Sequence, residues 1–162
     1  MTLELVAPDE AATRAIGAAF AHALVPGTIV HLRGDLGAGK TTLARALVQS
    51  LVPGTRVKSP TYTLIESYPE ASPPVHHLDL YRIADPEELE LLDLRELVAA
   101  GGVVLIEWPE RGGAAVPSAD LEVALAAQGD MRRLTVAAAT PRGRAVVDAA
   151  RARLGPAQTS NG

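Results

Sequence analysis

The sequence predicts an α/β fold: a single-domain P-loop NTPase with a mixed, mostly parallel sheet flanked by helices and an antiparallel edge hairpin. First, residues 34–41 read G-D-L-G-A-G-K-T, a complete G-x-x-x-x-G-K-S/T phosphate-binding loop. Second, a short apolar segment at residues 28–33 precedes this loop and a helical pattern at residues 42–51 follows it. Third, two alternating segments around a turn near the carboxyl terminus predict the hairpin.

The size and composition of the chain agree with one soluble domain. At 162 residues, 48% of them hydrophobic but only 3% aromatic, the chain is long enough for one aliphatic core. We expect residues 1–154 to form the domain and residues 155–162 a polar, disordered tail. No apolar stretch is long enough to span a membrane, so we expect a cytoplasmic protein without a membrane partner. The absence of cysteine excludes disulfides, thiol catalysis and Cys-ligated zinc.

The remaining elements follow from periodicity and from their boundaries. Residues 103–107 form an uninterrupted apolar run closed by an acid, which is typical of a central strand buried on both faces. Asp85-Pro86 is a strong helix start, because the acid can cap the helix and proline fits its first turn. The other predicted elements are, in order, a strand at 3–6, a helix at 9–24, strands at 64–68 and 75–80, a helix from 85 to about 92, a short helix ending at 98, hairpin strands at 121–125 and 134–136, and a helix at 141–154.

The P-loop carries its own chemistry. Its glycines let successive backbone N–H groups turn inward around phosphate oxygens, while Lys40 reaches the outer phosphates and the Thr41 hydroxyl ligates magnesium. The amino-terminal end of the following helix adds a partial positive charge at the same place. The sequence therefore predicts a site for a nucleoside triphosphate.

Two acids at strand ends are candidates to complete a magnesium site. Glu107 follows four apolar residues, which is the Walker-B pattern, and Asp79 ends a more polar strand. Either acid could instead cap the next helix or face water, and which of the two binds the metal directly stays open. We interpret Asp85 as a helix cap only.

Several residues near these motifs have two possible roles. Residues 59–63, Ser-Pro-Thr-Tyr-Thr, lie where nucleotide switches place a hydroxyl that senses magnesium and the γ-phosphate, although an ordinary Ser-Pro turn would look the same. Trp108 directly follows Glu107 and should report on bound nucleotide. His76 and His77 have no metal-ligand partners at a suitable spacing, so we interpret both as packing residues.

The sequence also narrows the choice of nucleotide base and of reaction class. Guanine recognition in GTPases uses Asn-Lys-x-Asp, and the only asparagine here is Asn161, so we expect ATP. Small-molecule kinases usually carry an arginine-bearing lid, and Arg82, Arg111, Arg132 and Arg133 form no such cluster in the sequence. A net charge of −4 with two lysines argues against a surface that grips nucleic acid unaided. A hydrolase or switch therefore fits better than a kinase.

Four blocks, in this order, carry a resemblance to a known family. They read G-D-L-G-A-G-K-T-T at 34–42, K-S-P-T-Y-T-L at 58–64, H-L-D-L-Y-R-I-A-D-P-E-E-L-E at 77–90 and L-I-E-W-P-E-R-G at 105–112. This set resembles the bacterial TsaE family of tRNA threonylcarbamoyladenosine biosynthesis ATPases, over residues 8 to about 117. The resemblance implies an ATPase that acts with a threonylcarbamoyl transferase and its dimerisation protein, and that contacts tRNA only through that complex.

The resemblance also implies roles for individual residues. Lys40, Asp79 and Glu107 would be catalytic, with Thr41 and Glu107 the best magnesium ligands and Asp79 supporting them. Glu10 and Thr13 match a block that lies near the adenine. Two alternatives remain, a P-loop small-molecule kinase and a non-hydrolysing nucleotide-dependent scaffold. The full predicted nucleotide-binding set is Glu10, Thr13, Asp35, Leu36, Gly37, Ala38, Gly39, Lys40, Thr41, Thr42 and Trp108.

Overall fold

The structure is a computed structural model that describes residues 1–155 and Thr159. The strands are β1 Thr2–Ala7, β2 Ile29–Arg33, β3 Ile65–Tyr68, β4 Val75–Asp79, β5 Val103–Glu107, β6 Leu121–Gln128 and β7 Met131–Ala138. The helices are α1 Glu10–Ala21, α2 Lys40–Leu51, α3 Glu87–Glu90, α4 Leu94–Ala99 and α5 Pro141–Arg153, with 3-10 turns at Pro109–Arg111 and Gly113–Ala115. Of the predicted tail, only Gly155 and Thr159 lie within the described residues, and Thr159 forms an isolated bridge with Leu5.

The described residues form one seven-stranded sheet in the order β1-β7-β6-β2-β5-β4-β3. The central strands β6, β2, β5 and β4 run parallel, while β3, β7 and β1 add antiparallel pairs. The predicted hairpin is confirmed as β6 and β7, and β1 covers its outer strand, so that β1 rather than the hairpin forms the edge. Alternating apolar residues predict that a strand is half buried, but they do not reveal which distant strand pairs with it.

Helices cover both faces of the sheet. Helices α1, α2 and α5 pack over one apolar face, and α3 and α4 lie over the other. Strand β5 contributes Val103 and Leu105 to the first core and Val104 and Ile106 to the second, so it is buried on both faces as expected. Helix α1 approaches α2 closely at Gly17, where an added Cβ would lie 2.7 Å from the Cβ of Ala46.

The segment after β4 differs most from the prediction. The helix expected to run from 85 to about 92 is the single turn α3, while the short second helix predicted to end at 98 is confirmed as α4, which ends at Ala99. Asp93 has a left-handed backbone (φ 46°), and its carboxylate accepts the N–H of Glu96, so it starts a second helix instead of continuing the first. The carboxylate of Asp85 accepts the N–H of Glu87 at 3.0 Å, in agreement with a capping role. No helix among the described residues has the length and apolarity needed to cross a membrane.

Candidate functional site

The site lies where the carboxyl ends of the parallel strands meet. The P-loop leaves β2, Asp79 ends β4 and Glu107 ends β5. Because β4 and β5 are parallel neighbours whose register pairs Asp79 with Glu107, the two acids lie side by side. Strand β2 pairs with the edge of β5 opposite to β4, so the P-loop, which follows β2, begins next to Glu107. Parallel pairing thus brings together residues that are almost 70 positions apart in the sequence (Thr41 and Glu107 differ by 66).

The start of the P-loop fits only glycine. Gly34 has φ 149°, in the region that favours glycine, and an added Cβ would lie 2.5 Å from the backbone oxygen of Leu125. Gly39, immediately before α2, also has a positive φ (107°). These conformations turn the loop sharply from β2 into α2, and they let it pack directly against the neighbouring strand β6.

Lys40 is a buried cation within this loop. Its side chain donates from Nζ to the backbone oxygen of Gly34 at 2.5 Å and to that of Asp35 at 2.9 Å. Nζ also lies 4.3 Å from the ring centroid of Trp108. Burial lowers the pKa of Lys40, and the nearby carboxylates of Glu107 and Asp79 oppose that shift. An ammonium group can donate three hydrogen bonds, so one proton remains available for a ligand.

Glu107 is the most enclosed acid of the site, with 1% of its surface exposed. The hydroxyl of Thr41 donates to its Oε1 at 2.9 Å and lies 3.2 Å from its Oε2. The Nε2 atom of His77 lies 2.6 Å from Oε2. The packing interpretation of His77 is therefore incomplete, because this ring contacts a predicted catalytic acid. The signal in the sequence was the spacing of His77 and Asp79, since residues two apart on a strand share one face.

Asp79 is also buried but has different partners. Its Oδ1 accepts the N–H of Tyr81 at 2.9 Å, and its Oδ2 accepts the hydroxyl of Thr61 at 3.4 Å. Thr61 belongs to the segment 59–63 and is also hydrogen-bonded to Ser59. The predicted switch segment therefore reaches the acid at the end of β4. His76, by contrast, bonds to Ser67 and has its pKa lowered by burial, as expected of a packing histidine.

Trp108 forms one wall of the site. Its backbone is left-handed (φ 57°), which turns the chain out of β5 and into the first 3-10 turn. Its ring centroid lies 5.0 Å from that of Tyr81, and Arg111 lies over both rings. Arg33 donates to Glu110 at 3.1 Å, which ties the turn after Trp108 to β2.

A cavity of about 620 Å³ opens over the loop and the acids. This volume lies within the usual range of small-molecule sites. Asp35, which is exposed, and Ala38, which is buried, are the two residues of the predicted set that do not line it. The predicted residues that do line it are Glu10, Thr13, Leu36, Gly37, Gly39, Lys40, Thr41, Thr42, Asp79, Glu107 and Trp108.

Other residues that line the cavity were not predicted from the sequence. Arg132, on β7, donates to the backbone oxygens of Gly37 at 3.4 Å and Gly129 at 2.8 Å. It reaches the loop only because the hairpin lies beside β2, which local pattern does not reveal. Thr61 of the predicted switch segment also lines the cavity, and the unassigned lining residues are Asp9, Tyr81, Arg82, Asp130 and Arg132.

The donor set suits magnesium bound together with a nucleotide. Within the described part of the chain, no group of three or more His, Cys, Asp and Glu side chains could hold a metal on its own. A hydroxyl and carboxylates are the oxygen donors that magnesium prefers, and in nucleotide sites phosphates and waters complete the coordination. Thr41, Glu107 and Asp79 fit that role.

We expect Asp79→Asn to stabilise the metal-free protein at pH 7. Burial is the main cause that raises the pKa of Asp79; the N–H of Tyr81 opposes it and the charge of Glu107 adds to it. The folded state therefore binds this proton more tightly than the unfolded chain does, so ionised Asp79 lowers stability at every pH above its folded pKa. The variant should gain about 0.5–2 kcal/mol in the free energy of unfolding.

Urea denaturation in EDTA measures this gain. As pH falls through the folded pKa towards the ordinary value for aspartate, the carboxyl of the parent protein becomes protonated and the gain should disappear. A variant less stable than its parent at pH 7 would contradict the expectation.

Comparisons with known proteins show the family of this chain and the likeness of its fold to a solved structure. The family model for threonylcarbamoyl adenosine biosynthesis protein TsaE matches residues 7–135. The tRNA threonylcarbamoyladenosine biosynthesis protein TsaE of Haemophilus influenzae is 42% identical over 147 residues, covering 88% of this chain and 93% of that protein. The Bacillus subtilis protein of the same name is 38% identical over 128 residues, covering 79% and 78% respectively. The crystal structure of Bacillus subtilis YdiB aligns with a TM-score of 0.79 at 29% identity, covering 94% of this chain and 95% of that one.

Proposed function

The chain belongs to the TsaE family, and from that premise we propose that it is a magnesium-dependent ATPase acting in threonylcarbamoyladenosine biosynthesis on tRNA. The relatives are named for that biosynthesis. One observation carries the ATPase assignment: Lys40 of the P-loop, Thr41 and the two strand-end acids line a single cavity. Family membership also makes the small-molecule kinase the weaker alternative.

In this proposal the chain's own groups bind and orient the nucleotide. Loop amides from Asp35 to Gly39 and the free proton on the Lys40 ammonium hold the phosphates, with the amino-terminal end of α2 behind them. Thr41 and Glu107 hold magnesium, which when bound neutralises charge on the phosphates. We assign Glu107 as the direct ligand because its Oε1 lies 2.9 Å from the hydroxyl of Thr41, the other magnesium ligand, whereas the oxygens of Asp79 bond to Tyr81 and Thr61.

The remaining cavity residues are assigned to the nucleoside and to the wall around Lys40. Glu10 and Thr13, at the start of α1, line the cavity and are proposed to lie near the adenine. Thr42 and Trp108 complete the wall around Lys40. We further propose that the partners are a threonylcarbamoyl transferase and its dimerisation protein. The net charge of −4 supports contact with tRNA through that complex only.

Following the labelled phosphate tests the proposed function. The purified chain, with magnesium and ATP labelled on the γ-phosphate, should release inorganic phosphate slowly, and faster when the transferase and dimerisation protein are added. Modified adenosine in tRNA, measured by mass spectrometry, should require the chain. Label in a new phosphoester would instead indicate a kinase. Nucleotide binding without ADP formation, even beside the partners, would indicate a scaffold.

Arg132→Ala should weaken ATP binding by about tenfold, the loss typical of one hydrogen bond to a charged group. Arg132 lies over the loop and lines the cavity, so its guanidinium is placed to contact a phosphate. Arg133→Ala is the matched control, because Arg133 is the next residue on the same strand and does not line the cavity. Calorimetric titration with a non-hydrolysable ATP analogue measures both variants. Equal affinities for both would remove Arg132 from the binding site.

A further inference from the structure

We propose that His77 is a positioning residue that holds the Glu107 carboxylate, through a hydrogen bond donated from Nε2, in the orientation needed to bind magnesium together with Thr41. The inference rests on the proposed function of this site. His77 is not one of the family-implied ligands, and by sequence alone it was interpreted as a packing residue. Its contact with Glu107 is the observation that carries the proposal.

The contact is short and fully enclosed. Nε2 of His77 lies 2.6 Å from Oε2 of Glu107, and the two side chains are 0% and 2% exposed. Water therefore cannot replace this partner without opening the core between β4 and β5. The hydroxyl of Thr41 approaches the same carboxylate at its other oxygen. Glu107 is thus held on two sides, by His77 of β4 at Oε2 and by Thr41 of α2 at Oε1.

The hydrogen-bonding capacity of each atom fixes the direction of the bond. An ionised carboxylate only accepts, so the proton between the two groups lies on Nε2 of His77. Nδ1 of the same ring is buried and has no hydrogen-bond partner among the described residues. A proton there would leave a buried donor unsatisfied, which is costlier than an unused acceptor lone pair. The ring therefore carries its proton on Nε2 and points it at Glu107.

This arrangement has a specific consequence for metal binding. With Oε2 bonded to His77, Oε1 is the oxygen nearer to the hydroxyl of Thr41, at 2.9 Å against 3.2 Å for Oε2. Loss of the Nε2 donor would free the carboxylate to rotate and would leave Oε2 without its strand-side partner. Partners that orient a metal ligand typically change metal affinity by about 10- to 100-fold when they are removed. The contacts of Lys40 with phosphate do not involve His77 and should persist.

Three substitutions at one position separate the donor from the bulk of the ring. In His77→Gln the amide nitrogen reaches the position of Nε2, in His77→Asn it reaches only the position of Nδ1, and His77→Leu has no donor. Binding of ADP is followed by the fluorescence of Trp108, the only tryptophan, in excess magnesium and in EDTA. His76→Gln is the matched control, since His76 is a neighbouring buried histidine that bonds to Ser67.

For the Asn and Leu variants we expect magnesium to enhance ADP affinity about tenfold less than in the parent, with affinity in EDTA unchanged. His77→Gln should stay within about threefold of the parent, and His76→Gln should match it. A merely structural role would change stability or both affinities equally. If His77→Leu does not fold, the comparison of His77→Gln with His77→Asn tests the inference.

Full magnesium enhancement in His77→Asn would overturn the inference while leaving the proposed function intact. A parent protein without any magnesium enhancement would overturn the proposed magnesium site itself, and the inference with it.

Discussion

Lys40→Ala is expected to reduce kcat/KM for ATP hydrolysis by about 100-fold or more, the loss typical of removing a preorganised group that stabilises developing charge. The Nζ atom is already held over the loop by the carbonyl oxygens of Gly34 and Asp35, so no reorganisation is needed when phosphate binds. Alanine keeps the helical backbone but removes the only cation within the loop itself. Initial rates of phosphate release in saturating magnesium measure the effect.

The stability of this variant makes the result interpretable. Burial lowers the pKa of Lys40, which means that the folded protein holds the charged form at a cost. The melting temperature of Lys40→Ala, measured beside the rates, shows whether lost activity reflects unfolding. Lys58→Ala is the matched control, because Lys58 is the other lysine and is exposed outside the cavity. ATPase activity that survives in Lys40→Ala would refute the assignment of this cavity.

Glu107→Gln is expected to lower magnesium-dependent hydrolysis by about 100- to 1,000-fold, while nucleotide affinity in EDTA remains close to that of the parent. Glutamine keeps the volume of the side chain; its one amide oxygen can accept from His77, and its amide nitrogen can donate to the hydroxyl oxygen of Thr41. It lacks the negative charge that a magnesium ligand supplies in this buried position. Activity measured across a magnesium titration, together with binding in EDTA, separates a metal defect from a folding defect.

Asp79→Asn provides the comparison that assigns the direct ligand. It removes the charge of the second acid; its one amide oxygen can still accept from Tyr81, and its amide nitrogen can donate to the hydroxyl oxygen of Thr61. We expect a smaller loss of magnesium affinity than in Glu107→Gln, because Thr41 contacts Glu107 and not Asp79. The opposite order, with magnesium dependence lost in Asp79→Asn and kept in Glu107→Gln, would exchange the roles of the two acids.

The best predicted parts of the fold are those with a strong local signal. Strand β5 was predicted at its observed bounds, because four apolar residues and an acid follow a Gly-Gly pair and end just before Trp108-Pro109. The helix from residue 85 was predicted to end at about residue 92, whereas it ends at Glu90, and the left-handed Asp93 begins the next helix. Such a backbone conformation at a non-glycine residue carries no reliable sequence signal.

The sequence by itself determined the P-loop, the two strand-end acids and, through four ordered blocks, the family. These are local features, since each depends on residue types at fixed spacing within one segment. The tertiary structure alone decided that His77 contacts Glu107, that Arg132 reaches the loop from β7, and that Thr41 lies against Glu107 rather than Asp79. The physical reason is that strand order and register set these distances, and both are fixed by packing between segments far apart in the chain.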